Sequence, residues 1–142
     1  MPIPTAQEAR GRGRFHGSWC LPVHVMTDIT TADLVTTFTP GFAGSIVKWY
    51  WVQGTVAAGT AAVASLNLEI NTVDVISVPG TNSTIALTLA ACTPVGKVIE
   101  GSSIGGSNAF DRDDTISVEA ALTTAFTAGA GTIVIEYEGK IQ

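Results

Sequence analysis

The sequence predicts an all-β protein, an antiparallel β-sandwich similar to a jelly roll, with about eight strands and an extended N-terminal arm. The first observation is that Thr, Val and Ile supply 45 of the 142 residues, whereas Leu supplies only 7. β-branched side chains pack well on a pleated sheet and lose rotamer freedom in a helix. The second is that short runs of alternating apolar and polar residues are separated by turns, as in antiparallel sheets with one solvated face. A closed up-and-down barrel is the alternative.

The low content of charged residues narrows the class of protein further. Only 13% of the residues are charged, whereas an average domain has about 25%. This composition excludes disorder and a coiled coil, and it indicates that much of the surface contacts other protein. The sequence has neither an apolar run of about 18 residues, as a membrane helix needs, nor a signal-peptide pattern. We therefore expect no membrane association.

Residues 1–17 are predicted to form the extended arm, and residues 18–142 a single β-sandwich domain. Prolines and glycines interrupt regular structure in the arm. Its three arginines, Arg10, Arg12 and Arg14, outweigh one glutamate and give it a net charge of +2, whereas the remaining residues carry −7. The arm is therefore expected to be mobile or to become ordered on a partner.

The β domain divides into eight or nine candidate strands separated by turns. They cover residues 19–28, 33–39, 45–53, 63–71, 73–78, 84–91, 97–100, 115–122 and 132–137. Pro22 cannot donate to a strand ladder, so the first strand is predicted to lie at a sheet edge. Small residues at 54–59 indicate a loop, and residues 101–114 form the longest predicted loop.

The tryptophans are the largest apolar side chains, and all three lie in predicted strands. Val47, Trp49 and Trp51 are predicted to share one face of the third strand, because side chains alternate between the two faces. Trp19, Trp49 and Trp51 are therefore assigned to the core or to a subunit interface rather than to a sugar-binding platform.

Cysteines and aspartates give no sign of a metal site. Cys20 and Cys92 are too few for a disulfide framework, and they are predicted to be buried apolar groups, with a single long-range disulfide as the alternative. Asp111, Asp113 and Asp114 place three carboxylates within four residues but lack the spaced ligands of a calcium loop. A solvated turn is the favoured interpretation there.

The polar residues form no pattern that indicates catalysis. His16 and His24 have no nearby cysteine and no Ser–Asp partnership, so neither zinc nor a catalytic triad is indicated. The glycine-rich run at 101–107 lacks the Lys-Ser/Thr pair of a phosphate-binding loop. We therefore predict no enzymatic activity, no catalytic residue, no cofactor and no metal.

Two long runs, residues 44–71 and 113–139, resemble a known class of virion protein. They are GSIVKWYWVQGTVAAGTAAVASLNLEIN and DDTISVEAALTTAFTAGAGTIVIEYEG. The order of a long aromatic-bearing strand, a Gly/Ala loop, a Leu-x-Leu-x-Ile-Asn strand, Asp-Thr-Ile-x-Val and a closing Gly-x-Ile-x-Ile strand resembles the β-sandwich proteins that decorate or cement the heads of tailed bacteriophages. The arm matches no motif of that family.

The resemblance implies a non-enzymatic homotrimer, made in the host cytoplasm, that sits on the outer face of an icosahedral capsid and stabilises it. Its partner would be the major capsid protein. Arg10, Arg12 and Arg14 are then expected to contact an acidic surface of that partner, because a guanidinium group can bind a carboxylate through two hydrogen bonds.

Two other functions are compatible with the sequence. One is a different virion part, a tail, fibre or receptor-binding module of similar fold. The other is a small jelly-roll shell protein that packages nucleic acid, since capsid proteins of small RNA viruses carry basic arms. Three arginines neutralise only three phosphates, which is too little to condense a genome, so nucleic acid is not expected as a partner.

Overall fold

The computed structural model describes residues 14–78 and 80–141, and their regular structure is almost entirely β-strand. The strands are β1 (Arg14–Cys20), β2 (His24–Val25), β3 (Ala32–Phe38), β4 (Ala43–Ile70), β5 (Val73–Asp74), β6 (Ile76–Ser77), β7 (Thr84–Thr88), β8 (Val98–Glu100), β9 (Ile104–Gly106), β10 (Ala109–Phe110) and β11 (Ile116–Lys140), and a 3-10 turn, Met26–Asp28, follows β2. The strand pairs are antiparallel, which confirms the predicted class. No helix in the described residues is long and apolar enough to cross a membrane.

Strands β4 and β11 form a two-stranded ribbon that runs through the whole domain. They pair from Ile70 opposite Ile116 at one end to Ala43 opposite Lys140 at the other. The sequence predicted a loop at 54–59, but these residues belong to β4. Glycine, alanine and threonine give no clear alternation, yet Thr55, Ala58 and Gly59 still pair with β11, with register shifts between the pairs. The strands predicted at 45–53 and 63–71 are therefore the two ends of β4, and those predicted at 115–122 and 132–137 are the two ends of β11.

The other strands pair with the two ends of this ribbon and form two half-sheets. In the first half-sheet, β1 and β2 pair with the C-terminal part of β11, and β8 and β10 pair with the N-terminal part of β4. In the second half-sheet, β3 pairs with the N-terminal part of β11, and β5 and β7 pair with the C-terminal part of β4. Strands β6 and β9 form a separate pair.

The two half-sheets pack around one core, as expected for a sandwich. Trp49 Nε1 in the first half-sheet donates to Ser83 Oγ, just before β7 in the second, at 2.9 Å. The fully buried side chains come from both half-sheets and include Ile46, Trp49, Trp51, Leu66, Leu68, Ile85, Leu87, Ile116, Ile133 and Ile135. Burial of each large aliphatic side chain contributes about 1.5–3 kcal/mol, so this core is the main source of stability.

A β-bulge at Val47 changes which side chains of β4 face the core. Lys48 lies opposite Glu136 and Ile46 lies opposite Tyr137, so Val47 has no partner of its own in β11. Ile46 is fully buried as a result, whereas Val47 is 44% exposed. The prediction that Val47 shares the face of the two core tryptophans was wrong, because a bulge shifts the alternation by one residue.

The first strand begins earlier than the sequence suggested. Residues 14–17, which the sequence assigned to the arm, form the start of β1 and pair with residues 137–140 of β11. Residues 1–13 lie outside the described residues. Within the described part of the chain, β1 and β2 pair only with β11, so Pro22 between them does lie at a sheet edge.

Three details of the predicted elements change. The strand predicted at 73–78 is divided into β5 and β6, and the loop predicted at 101–114 contains β9 and β10. Cys92 is buried as predicted, but Cys20 is exposed because it lies on the outer face of an edge strand. Both thiols are free.

Candidate assembly surface

The structure places Trp49 and Trp51, which the sequence assigned to the core or an interface, in the core. Trp49 donates to Ser83 Oγ, as described above. Trp51 donates from Nε1 to Gln53 Oε1 at 2.7 Å, and Gln53 Nε2 donates to the backbone carbonyl of Thr55 at 2.6 Å. Both indole N–H groups are therefore satisfied in the interior, and neither ring is exposed to a partner.

Trp19 lies in a cluster of aromatic rings at the margin of the core, which we call the aromatic border. The cluster consists of Phe15, Trp19, Phe38, Phe42, Phe110 and Tyr137. Trp19 stacks on Tyr137 with ring centroids 4.4 Å apart. Phe110 is buried, whereas the other five rings are only half-buried. Half-exposed aromatic rings of this kind are typical of protein–protein contacts, so Trp19 remains a candidate interface residue.

The aromatic border lies beside the free edge of β1. Even-numbered residues of 14–20 are exposed, whereas odd-numbered residues are half-buried. Arg14 donates to Glu138 Oε1 at 2.8 Å, although its side chain stays 63% exposed. Of the three arginines predicted to contact a capsid, Arg14 is thus held by a strand and an ion pair, and Arg10 and Arg12 lie outside the described residues.

An open apolar groove of about 300 Å³ adjoins this edge. It is lined by Pro22, Val23, His24, Leu34, Val35 and Phe38. Burial lowers the pKa of His24 below its usual value, against a smaller opposing effect of Asp28. The imidazole is therefore neutral at physiological pH, and its buried Nε2 has no hydrogen-bond partner. The groove presents an uncharged, apolar surface beside the strand edge.

A carboxylate cluster, which sequence reasoning missed, lies on the outer face of the second half-sheet. Glu69 is 7% exposed and lies opposite Ser117 of β11 and Asp74 of β5. Ser117 Oγ donates to Glu69 Oε2 at 3.3 Å. Burial, reinforced by the hydrogen bond and charge of Glu119, raises the pKa of Glu69 to about 7. The register of β4 against β11 brings Ser117 and Glu119 to Glu69, so no local sequence pattern could have found these contacts. Asp74 is placed by the short hairpin of β4 and β5.

The aspartates before β11 lie in a turn that uses them for its own hydrogen bonds. Asp114 accepts from the backbone N–H of Asp111 and from Asn71 Nδ2, both at 2.8 Å, and these bonds lower its pKa. The Oδ1 atom of Asp113 lies 3.7 Å from Nε of Arg112. In the described part of the chain, no three His, Cys, Asp or Glu side chains are grouped so that they could hold a metal ion.

Comparison with known proteins identifies the fold but no family. No family model matches the sequence, and no curated protein matches it. The fold is similar to that of a chain in the acidic stable capsid structure of Helicobacter pylori bacteriophage KHP30, with a TM-score of 0.50 and 12% sequence identity. The match covers 88% of this chain and 90% of that chain. At this identity the similarity concerns the fold alone.

Proposed function

We propose that this protein is a non-enzymatic structural component of a tailed-bacteriophage virion, where it decorates and stabilises the outer face of the capsid. The observation that carries the proposal is the similarity of its fold to a chain of a bacteriophage capsid structure over 88% of its length. The resemblance of the sequence to head-decoration proteins supports the choice of decoration over a tail or fibre role.

The construction of the domain suits a protein that holds neighbouring capsid subunits together. Strands β4 and β11 comprise 28 and 25 residues and pair along almost their whole length. A load along the ribbon is therefore shared by many backbone hydrogen bonds, and the close-packed core between the half-sheets resists bending. We propose a homotrimer as the functional unit, because only 13% of the residues are charged and a closed symmetric assembly covers apolar groups that a single chain leaves exposed.

The arm would contact an acidic surface of the major capsid protein. Arg14 is already bound to Glu138, so Arg10 and Arg12 would supply most of the new contacts. A hydrogen bond to a charged group is worth about 1.5–3 kcal/mol when desolvated and less when exposed. Two such contacts are sufficient to change occupancy on a capsid measurably.

The test measures binding to capsids that lack this protein. Wild-type protein is compared with the Arg10→Ala/Arg12→Ala variant and with Arg112→Ala, which removes an exposed arginine from the body. We expect the arm variant to bind at least about tenfold more weakly at low salt and to lose most of the salt dependence, because about 1.4 kcal/mol corresponds to tenfold. The Arg112→Ala control should bind like the wild type.

Three results would contradict parts of the proposal. Equal binding of the arm variant and the wild type at every salt concentration would show that the arm makes no contact. Labelling of virions at the tail or at single vertices, instead of evenly over the head, would favour a tail, fibre or receptor-binding module. Nuclease-sensitive nucleic acid inside particles of this chain alone would favour a shell protein that packages a genome.

A further inference from the structure

The free edge of β1 is long and regular. Its seven residues pair with β11 without a register shift, and within the described residues the other side of the strand has no partner. Strand β3, the other edge on this side of the ribbon, contains register shifts, and β5, β8 and β10 have only two or three residues. Strand β7 has five residues, and the carbonyl of Thr84 at its start already accepts from the backbone N–H of Ser102. Proteins normally shorten, bulge or cover such edges, because an open regular edge binds another strand.

The unpaired backbone groups of β1 belong to its even-numbered residues. The backbone N–H of Leu21 donates to the carbonyl of Ile133 at 2.9 Å, so Leu21 points toward β11. Backbone groups alternate between the two sides of an antiparallel strand. His16, Ser18 and Cys20 therefore direct their N–H and C=O groups away from β11, where a further strand would find them.

We propose that β1 pairs antiparallel with β1 of a second copy of this chain, about a two-fold axis at Gly17. In this register the even-numbered residues hydrogen-bond across the axis, with His16 opposite Ser18 of the second copy. On the face that is turned toward the core, Phe15 lies opposite Trp19 of the second copy. By symmetry, Trp19 lies opposite Phe15 of the second copy. Aromatic cross-strand pairs stabilise sheets, and these two would join the half-exposed aromatic borders of both copies.

The distribution of charge fits a second copy as the occupant. Each Arg14 lies opposite Cys20 of the other copy, so the two arginines are about 20 Å apart and do not repel each other. Glu136 of β11 pairs with Ser18 of β1. Arg14 of the other copy would lie opposite Cys20, two residues further along β1, so Glu136 places a negative charge near that arginine.

This contact goes beyond the proposed function and does not depend on it. A trimer is closed by a three-fold axis, whereas paired β1 edges lie on a two-fold axis. The pairing would therefore join two trimers or two single chains, and the particle in solution would contain an even number of chains.

The first test removes the outward hydrogen-bond donor in the centre of the edge. Ser18→Pro deletes an N–H that points away from β11, so the β1–β11 ladder keeps its bonds, and proline is tolerated at edge positions of this kind. Light scattering should give half the wild-type mass, with an unchanged circular dichroism spectrum. The Ser18→Thr control keeps the N–H and should keep the wild-type mass. A folded Ser18→Pro variant of unchanged mass would overturn the proposal.

The second test uses the exposed thiol of Cys20 and decides the question even if the proline variant does not fold. In the proposed register, residue 14 lies opposite Cys20 of the second copy at a Cα separation of about 5.5 Å, which a disulfide can bridge. Mild oxidation of the Arg14→Cys variant should therefore give a covalent dimer, whereas oxidised wild-type protein and an Arg112→Cys control should not. Absence of that dimer, or an odd number of chains in the wild-type particle, would refute the two-fold contact.

Discussion

Replacing Glu69 by glutamine is expected to stabilise the protein at neutral and alkaline pH. Glu69 is 7% exposed, its carboxylate shares a hydrogen bond with Glu119, and Asp74 lies directly opposite. The protonated carboxyl group fits this site because it can donate to a neighbouring carboxylate, whereas the ionised form is desolvated and repelled. Glutamine keeps the shape of the side chain and a donor, and it carries no charge at any pH.

The size and sign of the effect follow from the pKa of Glu69. Its pKa rises from 4.5 to about 7 on folding. Below pH 4.5 the carboxyl group is protonated in both states, and above pH 7 it is ionised in both. Between these values only the unfolded chain loses the proton, so the free energy of unfolding decreases as the pH rises. At about 1.4 kcal/mol per pKa unit, the loss amounts to at most about 3.5 kcal/mol.

Urea denaturation between pH 4 and pH 8.5 would measure this loss. The free energy of unfolding of the Glu69→Gln variant should match that of the wild type near pH 4 and exceed it by up to about 3.5 kcal/mol at pH 8. The lowered pKa of His24 acts in the opposite direction, so the variant is compared with the wild type at each pH. Glu100→Gln, which removes an exposed carboxylate paired with Lys48 at 2.9 Å, is the control and should not reproduce this pH profile. Equal stabilities of wild type and Glu69→Gln at pH 8 would refute the reasoning.

Three further substitutions probe the core and can be measured by urea denaturation. Ser83→Ala removes the acceptor of the Trp49 indole and should cost about 1–3 kcal/mol, because the buried N–H is left without a partner; an unchanged stability would show that water replaces the hydroxyl. Gly131→Ala adds a methyl group that overlaps the indole ring of Trp51, and it should lower the free energy of unfolding by about 1–3 kcal/mol. The methyl group added in Gly106→Ala has no other atom within 4 Å, so this control should change the free energy of unfolding by less than about 0.5 kcal/mol. Equal losses of stability in the two glycine variants would contradict the clash between residue 131 and Trp51.

The sequence was informative where a strand has one apolar and one polar face. Leu66 and Leu68 in β4, and Ile116 and Val118 in β11, alternate with polar residues and face the core. The small-residue segment of β4 was missed, because its strand structure depends on pairing with β11 rather than on its own side chains. Pairing over such sequence distances leaves no local signal.

The candidate surface was less predictable than the fold for the same reason. Trp19 was identified from its size, but its contact with Tyr137 depends on the pairing of β1 with β11, more than a hundred residues later. The bulge at Val47 and the charge cluster around Glu69 likewise arise from register between distant strands. A single sequence without repeats or invariant motifs does not encode register locally.

The topology separates the stable framework from the surface proposed for assembly. Strands β5, β7, β8 and β10 follow β4 in the chain, and each of them pairs with β4. Strands β1, β2 and β3 precede β4, and each of them pairs with β11. The free edge, the groove and most of the aromatic border therefore belong to residues 14–42, on one side of the ribbon. Because the fully buried side chains are supplied mainly by β4, β7 and β11, exposed residues of this N-terminal segment can be exchanged to alter assembly while the ribbon and its core stay intact.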